Sequence, residues 1–289
     1  MVKIVRNRYT ILGKRILAPG IKEMEIYAPR IARAAMPGQF VMVIVDERGE
    51  RIPLTLVDWN RSEGWIRIVF QEVGVSTIKL GLLEPGEYLH HVSGPHGIPT
   101  HISRFGDVVI VGGGVAIAAA YPIAKAFKDV GNKIISIIGA KNSSLLVYED
   151  EVGSVSDEIY ISTDDGSRGV RGFTSDVLRN LLANGSKPHL IWMVGPTIMM
   201  KVCSDIAKKY GVKAIASLNP IMVCGMGMCG ACRVRVAGRI RFACFEGPEF
   251  DASTIEWDEL MLRLQMYRAE EQSSLKTFLE RGGYIGHKT

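Results

Sequence analysis

Residues 107–131 read DVVIVGGGVAIAAAYPIAKAFKDVG. A run of aliphatic residues with no polar alternation ends at Gly112-Gly113-Gly114 and passes straight into an alanine-rich segment with helical spacing. That is the pattern of a strand buried on both faces that turns at once into a helix. Downstream the same alternation repeats. NKIISIIGAK and EIYISTDD read as strands, FTSDVLRNLLANG as a helix, HLIWMVGP as a strand, TIMMKVCSDIAKKYG as a helix and VKAIASL as a strand. Strands alternating with helices predict a parallel sheet covered on both faces, with ligands beyond the carboxyl ends of its strands.

The turns at those ends hold the candidate nucleotide residues. Gly112, Gly113 and Gly114, followed by Val115 and Ala116, sit where a strand meets a helix N-terminus, the place a pyrophosphate fits. The dinucleotide fingerprint is incomplete, because Ala116 stands where a further glycine would be expected, and a glycine motif alone is weak evidence. Asp164, Asp165 and Gly166 follow a later strand, and Gly195 and Pro196 another. The two aspartates serve either a ribose or nicotinamide amide, or simply cap their turn. Gly139-Ala-Lys-Asn142 has no acid, which leaves the choice between NAD and NADP open.

Upstream, the first hundred residues lack a long helical period. KEMEIYAP, GQFVMVIVDE, RIPLTLVDW, GWIRIVFQEV and GEYLHHVSGP are short strand candidates separated by Pro-Gly and Arg-Gly turns, the pattern of a small antiparallel barrel. GVSTIKLGL reads as one short helix. Arg51-Ile-Pro53-Leu-Thr55 sets an arginine, a turn proline and a hydroxyl on a strand edge. Gly74 to Thr77 opens the helix with free N–H groups and the Ser76 and Thr77 hydroxyls, an anion site or an ordinary helix cap. Gly94-Pro-His-Gly97 is a tight turn before the next domain.

Four of the five cysteines lie in CGMGMCGACRVRVAGRIRFAC, residues 224–244. Their C-x4-C-x2-C…C order is the plant-type arrangement for a 2Fe–2S cluster, with Cys224, Cys229, Cys232 and Cys244 as ligands. Gly225, Gly227 and Gly230 let the loop wrap a small object closely. A structural zinc site usually pairs its cysteines in two separate knuckles, whereas three here share one loop and the fourth lies across a hairpin. Disulfides are disfavoured in a cytosolic enzyme. Cys203, within a helical pattern, reads as a small core residue.

Composition bounds the rest. At 289 residues the chain holds two domains or so, and its net charge of +5 comes from 35 basic and 30 acidic residues. No basic block interleaved with aromatics points to nucleic acid. No apolar run reaches membrane-spanning length, and the N-terminal MVKIVRNRYTIL alternates like a strand and lacks a signal-peptide core. A cytoplasmic protein is expected. A hydride carries two electrons and a 2Fe–2S centre accepts one; with both sites in one chain something must take a pair and release singles, and a flavin is the usual cofactor that does so. That need turns the weak barrel signals into a flavin site, with Arg51 on phosphate, Thr55 at the ring, and Ser76 and Thr77 at the pyrophosphate.

RIPLTL, FQEVGVST, VGGG…YPIAKA, STDDGSRG, VGPTIMMK, SLNPIM and CGMGMCGACRV…FACFEGPEFD together resemble the small subunit of NADH-dependent reduced ferredoxin:NADP oxidoreductases. Those are related to the electron-transfer subunit of dihydroorotate dehydrogenase and, further off, to ferredoxin–NADP reductases. The resemblance covers nearly the whole chain. It implies FAD in the barrel (Arg51, Pro53, Leu54, Thr55, Gln71, Val73, Gly74, Ser76, Thr77), NAD(H) on the α/β domain, and a 2Fe–2S cluster. No catalytic residue beyond the cofactors is implied. A larger partner subunit with its own flavin and 4Fe–4S clusters, in an electron-bifurcating complex, is implied as well. Close members often carry aspartate at the first ligand position, in D-G-T-G-M-C-G-A-C, where this chain has Cys224; the dihydroorotate relatives have cysteine.

The expected architecture is therefore α/β plus β-barrel, ferredoxin–NADP reductase-like. The divisions are a barrel over 1–103, a nucleotide domain over 104–218, a cluster segment over 219–250 and a C-terminal helical arm over 251–289. In that arm Ser253 or Thr254 serves as cap, Trp257, Leu260, Leu264 and Tyr267 form an apolar stripe facing this chain or the partner, and Gly282-Gly283 ends the helix. The alternatives are the same module serving a dihydroorotate dehydrogenase, or a non-enzymatic nucleotide-binding protein with a zinc knuckle.

Overall fold

The computed structural model describes residues 8–282; the first seven residues of the strand-like MVKIVRNRYTIL and Gly283 of the expected helix stop lie outside that range. Six strands open the fold: β1 (Ile11–Ala18), β2 (Ile21–Tyr27), β3 (Phe40–Ile44), β4 (Ile52–Asn60), β5 (Trp65–Gln71) and β6 (His91–His96). They pair in the order β1-β2-β5-β4-β3-β6, all antiparallel. Residues just before β6 close the sheet on β1, through a Thr10–Tyr88 bridge and a bond from the Ile11 N–H to the Glu87 carbonyl at 2.8 Å. The barrel core holds Met24, Ile26, Val41, Val43, Leu56, Ile66, Ile68 and Phe70. Alternate residues of β5 supply it (Ile66, Ile68, Phe70), the period of two that the sequence displayed. Two helices flank it, α1 (Pro29–Ala34), which the sequence reading lacked, and α2 (Val75–Leu82).

The second unit runs β7 (Asp107–Gly113), α3 (Ile117–Asp129), β8 (Lys133–Ala140), α4 (Glu149–Ser154), β9 (Glu158–Thr163), β10 (Val170–Arg171), α5 (Thr174–Ala183), β11 (Leu190–Val194), α6 (Thr197–Lys209) and β12 (Ala214–Ser217). Its sheet order is β10-β9-β8-β7-β11-β12, parallel throughout. The chain builds outward from β7 on one side and from β11 on the other, so the switch point falls between those two strands.

The cysteine segment contributes the hairpin β13 (Arg233–Val236) and β14 (Arg239–Phe242), followed by α7 (Ala243–Glu246). Next, β15 (Glu249–Asp251) adds itself antiparallel to β12 and ties the segment to the large sheet. The tail departs from a single helix. Asp251 caps a 3-10 turn by accepting from the Ser253 N–H, and α8 (Trp257–Arg263) follows, with α9 (Arg268–Glu280) set off from it by Tyr267 at φ +67°. Trp257 and Leu260 are buried against this chain and Leu264 packs there too, while Tyr267 is 56% exposed. The apolar stripe thus splits where the helix does. No glycine or proline marks the break; Arg263 bonds the Ala231 carbonyl at 3.1 Å, which pins the end of α8 to the cluster loop.

Several contacts join barrel and nucleotide unit. The N-terminal part of α3 (Ile117, Ala118) packs on Val57 of β4 and Val69 of β5. Beside it the Tyr148 hydroxyl donates to Glu23 at 2.5 Å, and Arg15 bonds the same carboxylate at 2.7 and 3.0 Å. Burial works against ionisation of Glu23, but these partners and Arg67 hold its pKa below the usual range. No described helix is long and apolar enough to cross a membrane.

Glu249, at the start of β15, accepts a 2.5 Å bond from the Thr100 hydroxyl at the junction of barrel, linker and sheet. Burial pushes its carboxyl up to about 7, and the Thr100 bond offsets that only in part. A carboxyl raised in the fold stabilises while protonated, and that contribution is lost as pH rises from about 4.5, the unfolded value, through about 7. Glu249→Gln is therefore expected to leave the melting temperature unchanged at pH 4, below both values, and raise it at pH 8, by the equivalent of about 3 kcal/mol. Melting curves at the two pH values check this; an equal shift at both would mean that charge is not the cause.

Candidate functional site

The cysteine loop is shaped around its sulfurs. Gly225, Gly227 and Gly230 take φ of +75°, +78° and +71°, the left-handed region that a side chain would disfavour. Those turns aim backbone N–H groups inward. Cys224 Sγ accepts from the N–H groups of Met226, Met228 and Cys229 at 3.4, 3.3 and 3.5 Å, and Cys244 Sγ accepts from that of Gly227 at 3.1 Å. Burial opposes a thiolate at Cys224, yet the three N–H groups outweigh it and hold the thiol down at about 6. At Cys244, burial and the neighbouring Cys232 sulfur push the thiol up to about 12.

The four sulfurs stand as two pairs. Cys229 lies against Cys224, and Cys232 Sγ is 3.2 Å from Cys244 Sγ. Among the described residues no three His, Cys, Asp or Glu side chains are drawn together as ligands of one metal ion. Paired thiols suit a binuclear centre, in which each iron takes two thiolates, better than the single tetrahedron of zinc. Cys229 is the exposed member; Cys224, Cys232 and Cys244 are buried. Cys203 lies in the core of α6 with its thiol pushed up to about 12 by burial, as its sequence context predicted.

The loop leans on the barrel. A Cβ at Gly225 would come within 2.6 Å of Met42 Cγ and 3.4 Å of His96 Cδ2. Met42 lies on β3, whose Phe40 pairs with Thr55 of β4, one strand further on. Neighbouring strands are about 4.8 Å apart, so the cysteine loop and the Thr55 end of the flavin candidate strand are close neighbours. His96 bonds Ser93 Oγ at 2.9 Å, and burial lowers its pKa. In the sequence His96 stands only as part of the Gly94-Pro-His-Gly97 turn. Nothing in the local pattern marks Met42 or His96 as neighbours of residues 224–229, because that contact spans more than a hundred residues.

Arg51, Pro53, Leu54 and Thr55 lie along β4 and the loop before it, while Gln71 ends β5 and Val73 and Gly74 lead into α2. Thr77 is engaged within its own turn: its hydroxyl accepts from the N–H groups of Val73 and Gly74 at 3.0 and 3.1 Å and donates to the Gly74 carbonyl. Ser76, in contrast, points its hydroxyl across to the Glu50 carboxylate at 3.1 Å. An acidic oxygen there is the kind of acceptor a helix N-terminus favours.

Gly112 to Ala116 end β7, and Gly195-Pro196 end β11, on either side of the switch point. They interlock: a Cβ on Gly113 would meet Met199 Sδ at 2.5 Å and Pro196 Cδ at 3.0 Å. The Gly114–Ala116 turn also packs on β5, which brings the nucleotide turn against the barrel. Asp164 to Gly166 follow β9, two strands away from β7. Asp165 accepts from the Ser167 hydroxyl and N–H at 2.7 and 2.9 Å, bonds that lower its pKa and mark it as a turn cap.

Comparisons with known proteins agree with this geometry. A family model for the iron-sulfur cluster binding domain of dihydroorotate dehydrogenase B matches residues 219–256, which include all four loop cysteines. A protein of Thermotoga maritima, named a homolog of the dihydroorotate dehydrogenase B (NAD(+)) electron transfer subunit, is 45% identical over 273 residues, 94% of this chain and 96% of its own. The electron transfer subunit of dihydroorotate dehydrogenase B from Geobacillus thermodenitrificans is 31% identical over 87% of this chain and 99% of its own. Among solved structures, a chain of an NADH-dependent reduced ferredoxin-NADP oxidoreductase, described in terms of flavin-based electron bifurcation, superposes with a TM-score of 0.90. It is 44% identical and covers 94% of this chain and 98% of its own. Phthalate dioxygenase reductase, at 17% identity, a TM-score of 0.59 and coverage of 80% and 86%, shares the fold.

Proposed function

Because this chain belongs to the family of dihydroorotate dehydrogenase B electron-transfer subunits and their homologues, we propose that it is the NAD(H)-side electron-transfer subunit of a larger complex. It is a flavin and iron–sulfur oxidoreductase that exchanges hydride with NAD(H) through FAD and passes single electrons through a 2Fe–2S cluster. Bound FAD supplies the step from electron pairs to single electrons, and the cluster carries the singles.

The chain's own residues supply position and charge. Arg51 and the N-terminus of α2 with Ser76 neutralise the flavin phosphates, Thr55 with Pro53 and Leu54 lies along the ring, and Thr77 keeps the Gly74 turn in shape. Gly112 to Ala116 and Gly195-Pro196 leave backbone open at the switch point for the dinucleotide, and Asp165 holds the adjacent turn. Cys224, Cys229, Cys232 and Cys244 ligate the cluster, with backbone N–H groups on Cys224 and Cys244 sulfurs tuning it. The observation that carries the reading is the seating of Gly225 on Met42 and His96, which supports a short path between flavin and cluster.

The partner is read as the larger flavin and 4Fe–4S subunit of an electron-bifurcating NADH-dependent ferredoxin:NADP oxidoreductase. The solved chain at 44% identity favours that assembly over a dihydroorotate dehydrogenase, whose subunit from Geobacillus thermodenitrificans matches at 31%; the 45% relative from Thermotoga maritima is named after the dihydroorotate dehydrogenase subunit and does not separate the two. Cys224 favours the second assembly, since cysteine rather than aspartate stands at the first ligand. A cytoplasmic site of action belongs to the same proposal. The exposed Met226, Met228 and Phe245 around the cysteine loop give the partner an apolar landing surface beside Cys229.

Isolation of the native complex followed by anaerobic titration, first with NADH and then with NADPH, tests this. NADH is expected to bleach the flavin and then the cluster of this chain, with a co-purifying iron–sulfur flavoprotein responding to NADPH. A co-purifying FMN-barrel subunit would establish the dihydroorotate assembly instead. A colourless protein containing zinc would overturn both.

A further inference from the structure

The groove between α2 and α9 touches the family reading above only through Ser76, and its α9 wall has no role there. It measures about 430 Å3, within the range of small-ligand sites. One wall is the loop before β4 together with α2, through Arg48, Glu50 and Ser76; the other is α9, through Ser274, Thr277 and Arg281. The tail therefore returns from the cluster end of the molecule to lie across the barrel, beside the residues read as the phosphate end of the flavin site.

Length and direction identify an occupant. From Thr55 of β4 back to Arg51, the residue before the strand, the chain covers four steps, about 13 Å at roughly 3.3 Å per residue. A flavin ring at Thr55 with its phosphate at Arg51 and Ser76 uses that span. Ser76 itself lines the groove together with Glu50, Gly49 and Arg48, so a group attached beyond a phosphate held at Ser76 would have the groove next to it. FMN ends at the phosphate; FAD continues with a second phosphate and adenosine.

Charge agrees. Arg48 and Arg281 line the groove, and neither guanidinium has an ion-pair partner among the described residues. Glu50 is exposed and joined to Ser76 by one 3.1 Å bond, so a phosphate can take its place at that hydroxyl at little cost. The α9 face presents short hydroxyl side chains, Ser274 and Thr277, which can bond a ribose or phosphate.

We propose that α9 forms the second wall of the flavin site and contacts the adenylate half of FAD, so that the C-terminal helix sets the preference for FAD over FMN. This rests on the reading that the flavin lies along β4. It also accounts for a helix with no buried residue being held against the barrel: its partner is the cofactor as much as the protein.

The test uses the full-length chain stripped of flavin and titrated separately with FAD and FMN, followed by flavin fluorescence. Arg281→Ala and Ser274→Trp are expected to weaken FAD by about tenfold each and leave FMN within about twofold, the loss of one charge-assisted contact or of groove space. Hydrogen exchange in residues 268–281 should slow on addition of FAD and stay unchanged with FMN. Unchanged FAD affinity in both variants, or equal losses for the two flavins, would overturn the role of α9. Arg51→Ala separates the two levels: it should weaken both flavins alike, and if it weakens neither, the placement of the flavin along β4 is wrong and the helix proposal falls with it.

Discussion

Cys232→Ser is expected to abolish or rebuild the iron–sulfur centre while NADH still bleaches the flavin. Cys232 is 1% exposed, its sulfur lies 3.2 Å from that of Cys244, and the Cys244 N–H points at it. A serine hydroxyl is a poorer and harder ligand than a thiolate, and here no other side chain stands ready to replace it, because the neighbouring residues of the loop are glycine, alanine and arginine. The visible and EPR signals of the reduced cluster should vanish or change form. Flavin reduction should persist, because in the proposed route Gly112 to Ala116, Gly195 and β4 serve the steps before the cysteine loop. Cys232 also packs within the large core that includes Val234 and Ala243, so some loss of melting temperature accompanies the change. An EPR spectrum identical to wild type would remove Cys232 from the ligand set.

Gly195→Ala is expected to act at the other end of that route. Gly195 holds φ +151°, and a Cβ there would sit 2.7 Å from Met199 Cε and 3.1 Å from the Gly113 backbone nitrogen. The methionine can move; the Gly113 backbone cannot without shifting the turn at the end of β7. Backbone strain of this kind costs on the order of 1–3 kcal/mol. Part of it appears as lower stability and part as a displaced nucleotide turn, so KM for NADH should rise by about tenfold or more. The flavin and cluster spectra of the resting protein should match wild type, since the atoms nearest an added Cβ belong to Met199 and Gly113. A weakened flavin with normal NADH affinity would show that these strand ends do not serve the nicotinamide nucleotide.

Most element types were legible because they rest on local patterns. The period-two strands of the barrel, the buried strands of the parallel sheet and the helices between them follow from hydrophobic spacing alone. Short elements were not: α1 and α4 span six residues each and β15 three, too few for a period to emerge. The tail read as one helical arm because its apolar residues keep helical spacing through Leu264, and the interruption at Tyr267 comes from tertiary anchoring by Arg263 rather than from a breaker residue. Among the site residues, Thr77 and Asp165 illustrate the ambiguity of polar turns. Both were candidates for ligand contact, and both have their hydroxyl or carboxylate engaged by their own turn.

The cysteine spacing, the glycines between them and the strand–glycine–helix turn at Gly112 are what the sequence by itself set out as candidate sites, because a cluster loop and a phosphate turn are each built within a few residues of chain. What only the tertiary structure decided is how those pieces meet. The order of strands sets β7 and β11 side by side at the switch point, lays the Gly225 turn on Met42 and His96, and brings α9 across the barrel to the Ser76 turn. None of these contacts leaves a mark on local sequence, since each joins residues far apart in the chain through packing and shape. Each part's chemistry is local, and the route between the parts is long-range.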